Sequence, residues 1–298
     1  MGPGRGRAAH RGRLLRPVRP DSPAMSATLE VVILGCGSSG GVPRADGEWG
    51  DCDPANPKNL RTRCSIFVRR KAADPLSETS VLVDASPELR QQTARAGVKR
   101  LDAVLLTHDH ADQVHGLDDV RAFYLRQQAR IPCWMDPATT RTMMRRFGYI
   151  FEGEGGYPAI CEREALPPHG TPWAVEGPSG PIPVRTFDQD HGGVRSVGYR
   201  FGGVAYSSDV VGLDEAAFEA LADLDVWIVD ALRRRPHPTH AHLDRALEWI
   251  DRVRPRRAIL TNMHIDMDFE TLRRELPEGV EPAYDGLTIQ HELRGENA

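Results

Sequence analysis

The sequence LLTHDHADQVHG, Leu105–Gly116, combines an apolar start with a dense group of metal-binding side chains. His108 and His110 are two positions apart, so on an extended chain their imidazoles point to the same side. Two imidazoles at a strand end, with the carboxylate of Asp112 two residues on, form a ligand set that zinc and manganese both accept. The stretch therefore predicts a divalent metal site at the end of a buried strand.

Polar and titratable side chains also follow other predicted strands. A lone histidine is usually a satisfied surface or core group, but repeated placement at strand ends indicates one shared site. The further candidates are Asp84, His191, Asp209, Asn262 and His264.

The surrounding pattern alternates strands with helices in both halves of the chain, which predicts an α/β domain with helices covering sheet. The clearest strand and helix are expected over 101–108 and 116–129. Residues 148–181 are rich in Gly and Pro and carry few strand signals, so they predict a long functional loop or insertion that forms one wall of the pocket. A single hydrolase domain is expected over 27–298.

Residues 1–26 are not expected to form part of this domain. They are arginine-rich, whereas Met25 begins MSATLEVVILG, which has the character of a natural start. We interpret 1–26 as a disordered basic extension or a misassigned start.

Composition narrows the class of protein. The net charge of -4 over 298 residues gives no general attraction to nucleic acid. A mean hydropathy of -0.44, without an apolar run of about 18 residues, predicts no membrane span. The five cysteines form no C-x-x-C pair, which favours reduced thiols in a cytoplasmic enzyme.

The motif resembles the H-x-H-x-D-H motif of the metallo-β-lactamase fold hydrolases, and the later ligands follow in the same order: His191 before Gly192, Asp209 in YSSD, and LTNMH near the end. The flanking sequences ILGCGSSGGVPR, VLVDASPELRQQ and HGGVRSVGYRF most resemble the phosphoribosyl 1,2-cyclic phosphate phosphodiesterases of phosphonate operons. The resemblance implies a four-layer αββα sandwich, with two sheets face to face and helices outside.

The resemblance also implies roles for the site residues. His108, His110 and His191 would hold one metal ion, Asp112 would bind a second, and Asp209 would bridge the two. Asp84 would either accept a hydrogen bond from a ligand imidazole or make an ordinary contact at a helix start. The implied catalytic residues are Asp112 and His240, with His242 as a nearby competitor for the role of His240.

Two departures from the resembled pattern coincide. Gln113 stands where the motif has a histidine, and Asn262 stands in LTN where the pattern has Leu-Thr-His. An amide oxygen is a harder and weaker ligand, so the second site is expected to be weakened and better suited to manganese. His264 could replace Asn262 as a ligand. We expect Mn²⁺ or Zn²⁺, with two ions bound and complete loss of the second as the alternative.

The sequence thus predicts a cytoplasmic metal-dependent phosphodiesterase. Its expected substrate is a small cyclic or ribose-linked phosphate ester, with no membrane partner and nucleic acid disfavoured; a homodimer is left open. The alternatives are an RNA-processing nuclease of the same fold and a non-catalytic metal or nucleotide sensor with a degenerate second site.

Overall fold

The computed structural model describes residues 27–293, and the predicted extension at 1–26 lies outside them. The described part of the chain contains two seven-stranded sheets. The strands are β1 (Thr28–Gly35), β2 (Ser65–Arg70), β3 (Thr79–Val83), β4 (Ala103–Leu105), β5 (Ile131–Met135), β6 (Cys161–Ala165), β7 (Trp173–Val175), β8 (Ile182–His191), β9 (Val194–Phe201), β10 (Val204–Ser207), β11 (Val226–Asp230), β12 (Arg257–Thr261), β13 (Val280–Pro282) and β14 (Thr288–Glu292).

Each sheet has an antiparallel part and a parallel part. The first sheet has the order β14-β1-β2-β3-β4-β5-β6, and its pairs become parallel from β3 onward. The second has the order β13-β12-β11-β10-β9-β8-β7, with parallel pairs from β10 to β13. The parallel strands of each sheet therefore end at a common edge.

Helices cover the outer faces of the sheets. They are α1 (Leu89–Arg95), α2 (Ala111–Val114), α3 (Arg121–Gln127), α4 (Pro137–Glu152), α5 (Glu215–Ala220), α6 (Leu243–Val253) and α7 (Phe269–Glu275). Among the described residues, no helix has both the length and the apolar character needed to cross a membrane.

Side-chain alternation explains the layers. In β3, Val81 and Val83 pack into the core between the sheets, whereas Leu82 packs into the core shared with α1, α3 and α4. Because successive strand residues point to opposite faces, a strand that is apolar throughout serves two cores at once. The predicted αββα sandwich is confirmed.

The prediction for 148–181 is wrong in its extent. Helix α4 continues to Glu152, and the segment then supplies β6 and β7, the edge strands of the two sheets. An edge strand needs little apolar sequence, and β6 is largely exposed beyond Cys161. This explains why the strand pattern is weak here.

The metal-binding motif is held to the end of β3 by main-chain hydrogen bonds. The Ala85 amide donates to the Gln113 carbonyl at 2.7 Å, and the Gly116 amide donates to the Ala85 carbonyl at 2.8 Å. Gly116 is required because a Cβ there would overlap the Ser86 carbonyl oxygen. The short α2 therefore starts in a defined position beside β3.

We expect Gly116→Ala to lower the free energy of unfolding by about 1–3 kcal/mol, because the added methyl group must displace main chain. Urea denaturation followed by circular dichroism measures this change. Gly148→Ala is the matched control, because a Cβ there meets nothing within 4 Å. Equal unfolding midpoints for the two variants would show that the close contact at Gly116 is not limiting.

Candidate functional site

The candidate site lies where the carboxyl ends of the parallel strands of both sheets meet. The residues that follow or end these strands are Asp84 after β3, His108 after β4, Asp209 after β10, Asp230 at the end of β11 and Asn262 after β12. Three of them, Asp84, Asp209 and Asn262, have φ values of 62°, 56° and 61°. Such left-handed conformations are uncommon outside glycine and cluster at functional sites, and Asp and Asn adopt them most readily.

Three imidazoles form the centre of the site. The facing nitrogens of His108, His110 and His191 all lie within 4.8 Å of one another. Nε2 of His191 is 3.3 Å from Nδ1 of His110. His108 and His191 are buried whereas His110 is exposed, so the cluster is open to solvent on one side.

The outer nitrogens of the two buried imidazoles have partners. Nδ1 of His191 donates to the Thr239 carbonyl at 2.7 Å, and Nδ1 of His108 lies 3.0 Å from Oγ1 of Thr107. Both contacts leave Nε2 as the nitrogen that faces the cluster. Burial lowers the pKa of His108 to about 3, against the opposing effect of Asp209, so this imidazole is neutral and offers a lone pair.

The residues present fit a divalent metal ion. Nε2 of His108 is buried and has no hydrogen-bond partner among the described residues. A buried acceptor without a partner is costly, and this one faces two further imidazole nitrogens at the spacing that a shared ion requires.

Asp84 acts on this cluster through Thr107. Its Oδ1 accepts from the Thr107 amide at 2.8 Å and from Thr107 Oγ1 at 3.0 Å. We expected Asp84 either to accept a hydrogen bond directly from a ligand imidazole or to make a contact at a helix start. Its carboxylate instead bonds to Thr107. The reason is that Thr107 lies between Asp84 and His108, so its hydroxyl reaches both.

We expect Thr107→Val to weaken metal binding by about 10–100-fold, because the hydroxyl that orients His108 is lost. Isothermal titration with Zn²⁺ measures the affinity. Thr93→Val is the matched control, since Thr93 is a buried threonine whose hydroxyl only bonds within α1. An unchanged affinity in Thr107→Val would exclude this orienting role.

Asp209 is the central carboxylate. Its Oδ1 lies 3.9 Å from Nε2 of each of His108, His191 and His240. Burial favours the protonated acid, but the surrounding histidines outweigh it and lower the pKa of Asp209. An ionised carboxylate thus faces the imidazoles of His108, His191 and His240.

His240 is held by a second buried carboxylate, Asp230. Nδ1 of His240 lies 2.8 Å from Oδ2 of Asp230, which also accepts from the Val210 amide at 3.0 Å. Burial alone would lower the pKa of His240, but Asp230 and then Asp209 raise it to about 9. Asp230 was missed in the sequence, where its only signal is an acidic residue ending the buried strand WIVD.

Asp112 and Gln113 begin α2 beside Asp209. Burial and the charge of Asp209 raise the pKa of Asp112 to about 6. Gln113 is fully buried, and its Nε2 donates to Asp209 Oδ2 at 3.0 Å and to Asp112 Oδ2 at 3.4 Å. The structure therefore brings both residues of the motif to the cluster.

The structure does not bring His264 to the cluster. Its Nε2 lies 2.5 Å from Nη2 of Arg44, and its Nδ1 lies 3.2 Å from Oδ1 of Asp266. The expectation that it replaces Asn262 assumed an extended chain, but β12 ends at Thr261 and the chain turns at Asn262. The geometry thus argues against His264 as a ligand.

Asn262 lies inside the site, whereas His242 lies outside it. The Asn262 amide lies 3.2 Å from Nδ1 of His240, inside the site. His242 is the N-cap residue of α6. Among the described residues, two groups have the spacing of metal ligands, His108 with His110 and His191, and His191 with Asp209 and His240, and His242 belongs to neither.

Residues 79–265 match the family model described as Beta-lactamase superfamily domain. A solved diphosphatase from the PhnP family is 32% identical, with a TM-score of 0.78, over 90% of this chain and 99% of that one. Zn²⁺-bound PqqB from Methylobacterium extorquens is 21% identical, with a TM-score of 0.67, over 87% of this chain and 99% of that one. RNase Z structures share the fold at lower identity.

A curated octanoyltransferase from Porphyromonas gingivalis is 29% identical over 268 residues, which are 87% of this chain and 51% of that protein. The chain therefore spans about half the length of this relative.

Proposed function

The chain belongs to the β-lactamase superfamily and is a metal-dependent hydrolase of the metallo-β-lactamase fold, and we propose that it cleaves a small phosphate diester. The substrate class is a cyclic or ribose-linked phosphate. The observation that carries the proposal is the placement of His240, supported by Asp230, against the cluster of three histidines. The 32% identity to a PhnP-family diphosphatase supports a phosphate ester as substrate.

His108, His110 and His191 would hold the divalent ion, with Asp209 as the nearest carboxylate. When bound, the ion would supply Lewis acidity and lower the pKa of a water molecule toward neutrality. Nitrogen and carboxylate ligands suit either Mn²⁺ or Zn²⁺.

The proposed role of His240 is to donate the proton that the leaving oxygen takes up. Its Nδ1 is held by Asp230, so Nε2 is the nitrogen that faces Asp209 and the cluster. A fixed imidazolium beside a phosphate also stabilises the negative charge of the transition state. Asp112 shares the Gln113 amide with Asp209, and its proposed role is to orient the attacking water.

The open side of the cluster carries a positive group. Arg146 of α4 donates to the carbonyl of Asp109 at 2.7 Å, between the two ligand histidines of the motif. This guanidinium is exposed beside the exposed His110. An anionic substrate that approaches His110 would therefore meet a positive charge.

A substrate panel tests the proposal. The full chain, loaded with Mn²⁺ or Zn²⁺, is assayed on a cyclic ribose phosphate, an activated phosphodiester, a β-lactam, a thioester and a precursor tRNA. We expect the small phosphodiesters to have the highest kcat/KM. Preferred turnover of the lactam or thioester would refute phosphodiester specificity, and metal binding without turnover of any substrate would favour the sensor.

The alternative, an RNA-processing nuclease, shares this fold. Turnover of the precursor tRNA is the measurement that distinguishes this nuclease from a phosphodiesterase of small substrates. The net charge of -4 does not favour a long polyanion as the substrate. Cleavage of the tRNA at a rate above that of the small diesters would replace our proposal with the nuclease.

A further inference from the structure

Gln113 stands between two carboxylates, where the resembled motif implies a second ion. Its Nε2 is 3.0 Å from Oδ2 of Asp209 and 3.4 Å from Oδ2 of Asp112. The amide nitrogen is the atom that must face them, because the amide oxygen would repel both carboxylates whereas the NH₂ group donates to both. One neutral side chain thus performs the bridging that a cation would perform.

Asn262, the other amide of the weakened site, lies beside His240. Its amide lies 3.2 Å from Nδ1 of His240, which is itself paired with Asp230. Of the two positions where the motif has imidazole ligands, Gln113 therefore holds Asp209. Asn262 lies beside His240 without holding it, because Nδ1 of His240 already donates to Asp230. His264 does not replace them, because its ring contacts Arg44 and Asp266.

We infer that the side-chain amide of Gln113 occupies the place of the second metal ion, so that the chain holds one tightly bound divalent ion and not two. The inference rests on the proposed metal site at His108, His110 and His191. It departs from the sequence expectation of two ions and gives the physical reason: the second position is already filled by a hydrogen-bond donor.

A second ion would have to break both hydrogen bonds of Gln113 and accept a neutral oxygen in place of an imidazole. Hydrogen bonds to charged groups are among the stronger ones in proteins, so we expect the second ion to bind at least about 100-fold more weakly than the first. The competing arrangement has the amide rotated, with Oε1 bound to the ion. Oε1 is buried without a partner among the described residues. The experiment must therefore distinguish the rotated amide, with Oε1 bound to a second ion, from the amide that donates to both carboxylates.

The experiment is a titration of the full metal-free chain with Mn²⁺. Calorimetry and elemental analysis give the number of ions, and electron paramagnetic resonance distinguishes an isolated Mn²⁺ from a coupled pair. We expect one ion and an isolated-ion spectrum for the wild type. Gln113→His combined with Asn262→His should bind two ions and give a coupled spectrum.

Asn262→His alone is the matched control, because it adds an imidazole but keeps the Gln113 amide in place. It should still bind one tight ion. Two ions of similar affinity in the wild type, or in this control, would overturn the inference while the proposed function stands. No tight ion in the wild type would overturn the metal site itself, and with it the proposed function. Failure of the double variant to gain an ion would show that Gln113 is not what excludes it.

Discussion

His108→Ala is expected to abolish tight metal binding and to reduce phosphodiester turnover by about 10³-fold or more. Nε2 of His108 is a buried nitrogen that lacks a hydrogen-bond partner among the described residues, and it faces the other two imidazoles. Its removal leaves an exposed and a buried imidazole to hold the ion. Because metal contributes several kcal/mol to the transition state, its loss corresponds to an effect of this size.

The measurements are metal content after dialysis and kcat/KM on an activated phosphodiester. His115→Ala is the matched control, because His115 belongs to the same motif but is exposed and makes an edge-to-face contact with Phe147 outside the cluster. It should retain metal and activity. Normal metal content in His108→Ala, with the fold confirmed by circular dichroism, would remove His108 from the proposed site.

His240→Ala is expected to reduce turnover by about 10²–10⁴-fold on an alkyl phosphodiester, which has a poor leaving group. The loss should be much smaller on a p-nitrophenyl ester, since that leaving group departs without a proton. This contrast separates proton donation from a general effect on folding or metal binding. It is measured as kcat for both esters with metal held at saturation.

Asp230→Asn and His242→Ala complete the comparison. Asp230 positions His240 through a 2.8 Å contact, so Asp230→Asn should show the same dependence on leaving group with a smaller loss. His242 lies at the start of α6 outside the cluster, and its substitution should leave both rates unchanged. Equal losses on the two esters in His240→Ala would limit His240 to electrostatic stabilisation.

The fold was predicted in two steps, first by the local pattern and then by the resembled motif. The apolar strand before His108 predicts a buried strand, its alternation with helices predicts an α/β domain, and the resembled motif implies the αββα sandwich. These features can be read locally because side-chain period and turn residues depend on near neighbours. The edge strands β6 and β7 could not be predicted from this pattern, because β6 buries little apolar surface and β7 is only three residues long.

The contacts that give each site residue its role could not be read in the same way. Gln113 and Asp209 are 96 positions apart, and Thr239 reaches His191 across 48. His240 lies ten positions from Asp230, and no local period pairs them, because the segment that joins β11 to α6 is neither helix nor strand.

Sequence alone therefore determined most of the core strands and helices and most of the titratable residues that follow them, but not β6, β7 or Asp230, since local periodicity marks only elements that bury an apolar face. Tertiary structure alone decided that Thr107 links Asp84 to His108, that the turn at Asn262 carries His264 away, and that Gln113 donates to two carboxylates. Hydrogen bonds depend on distance and direction in space, and the packing of two sheets sets both.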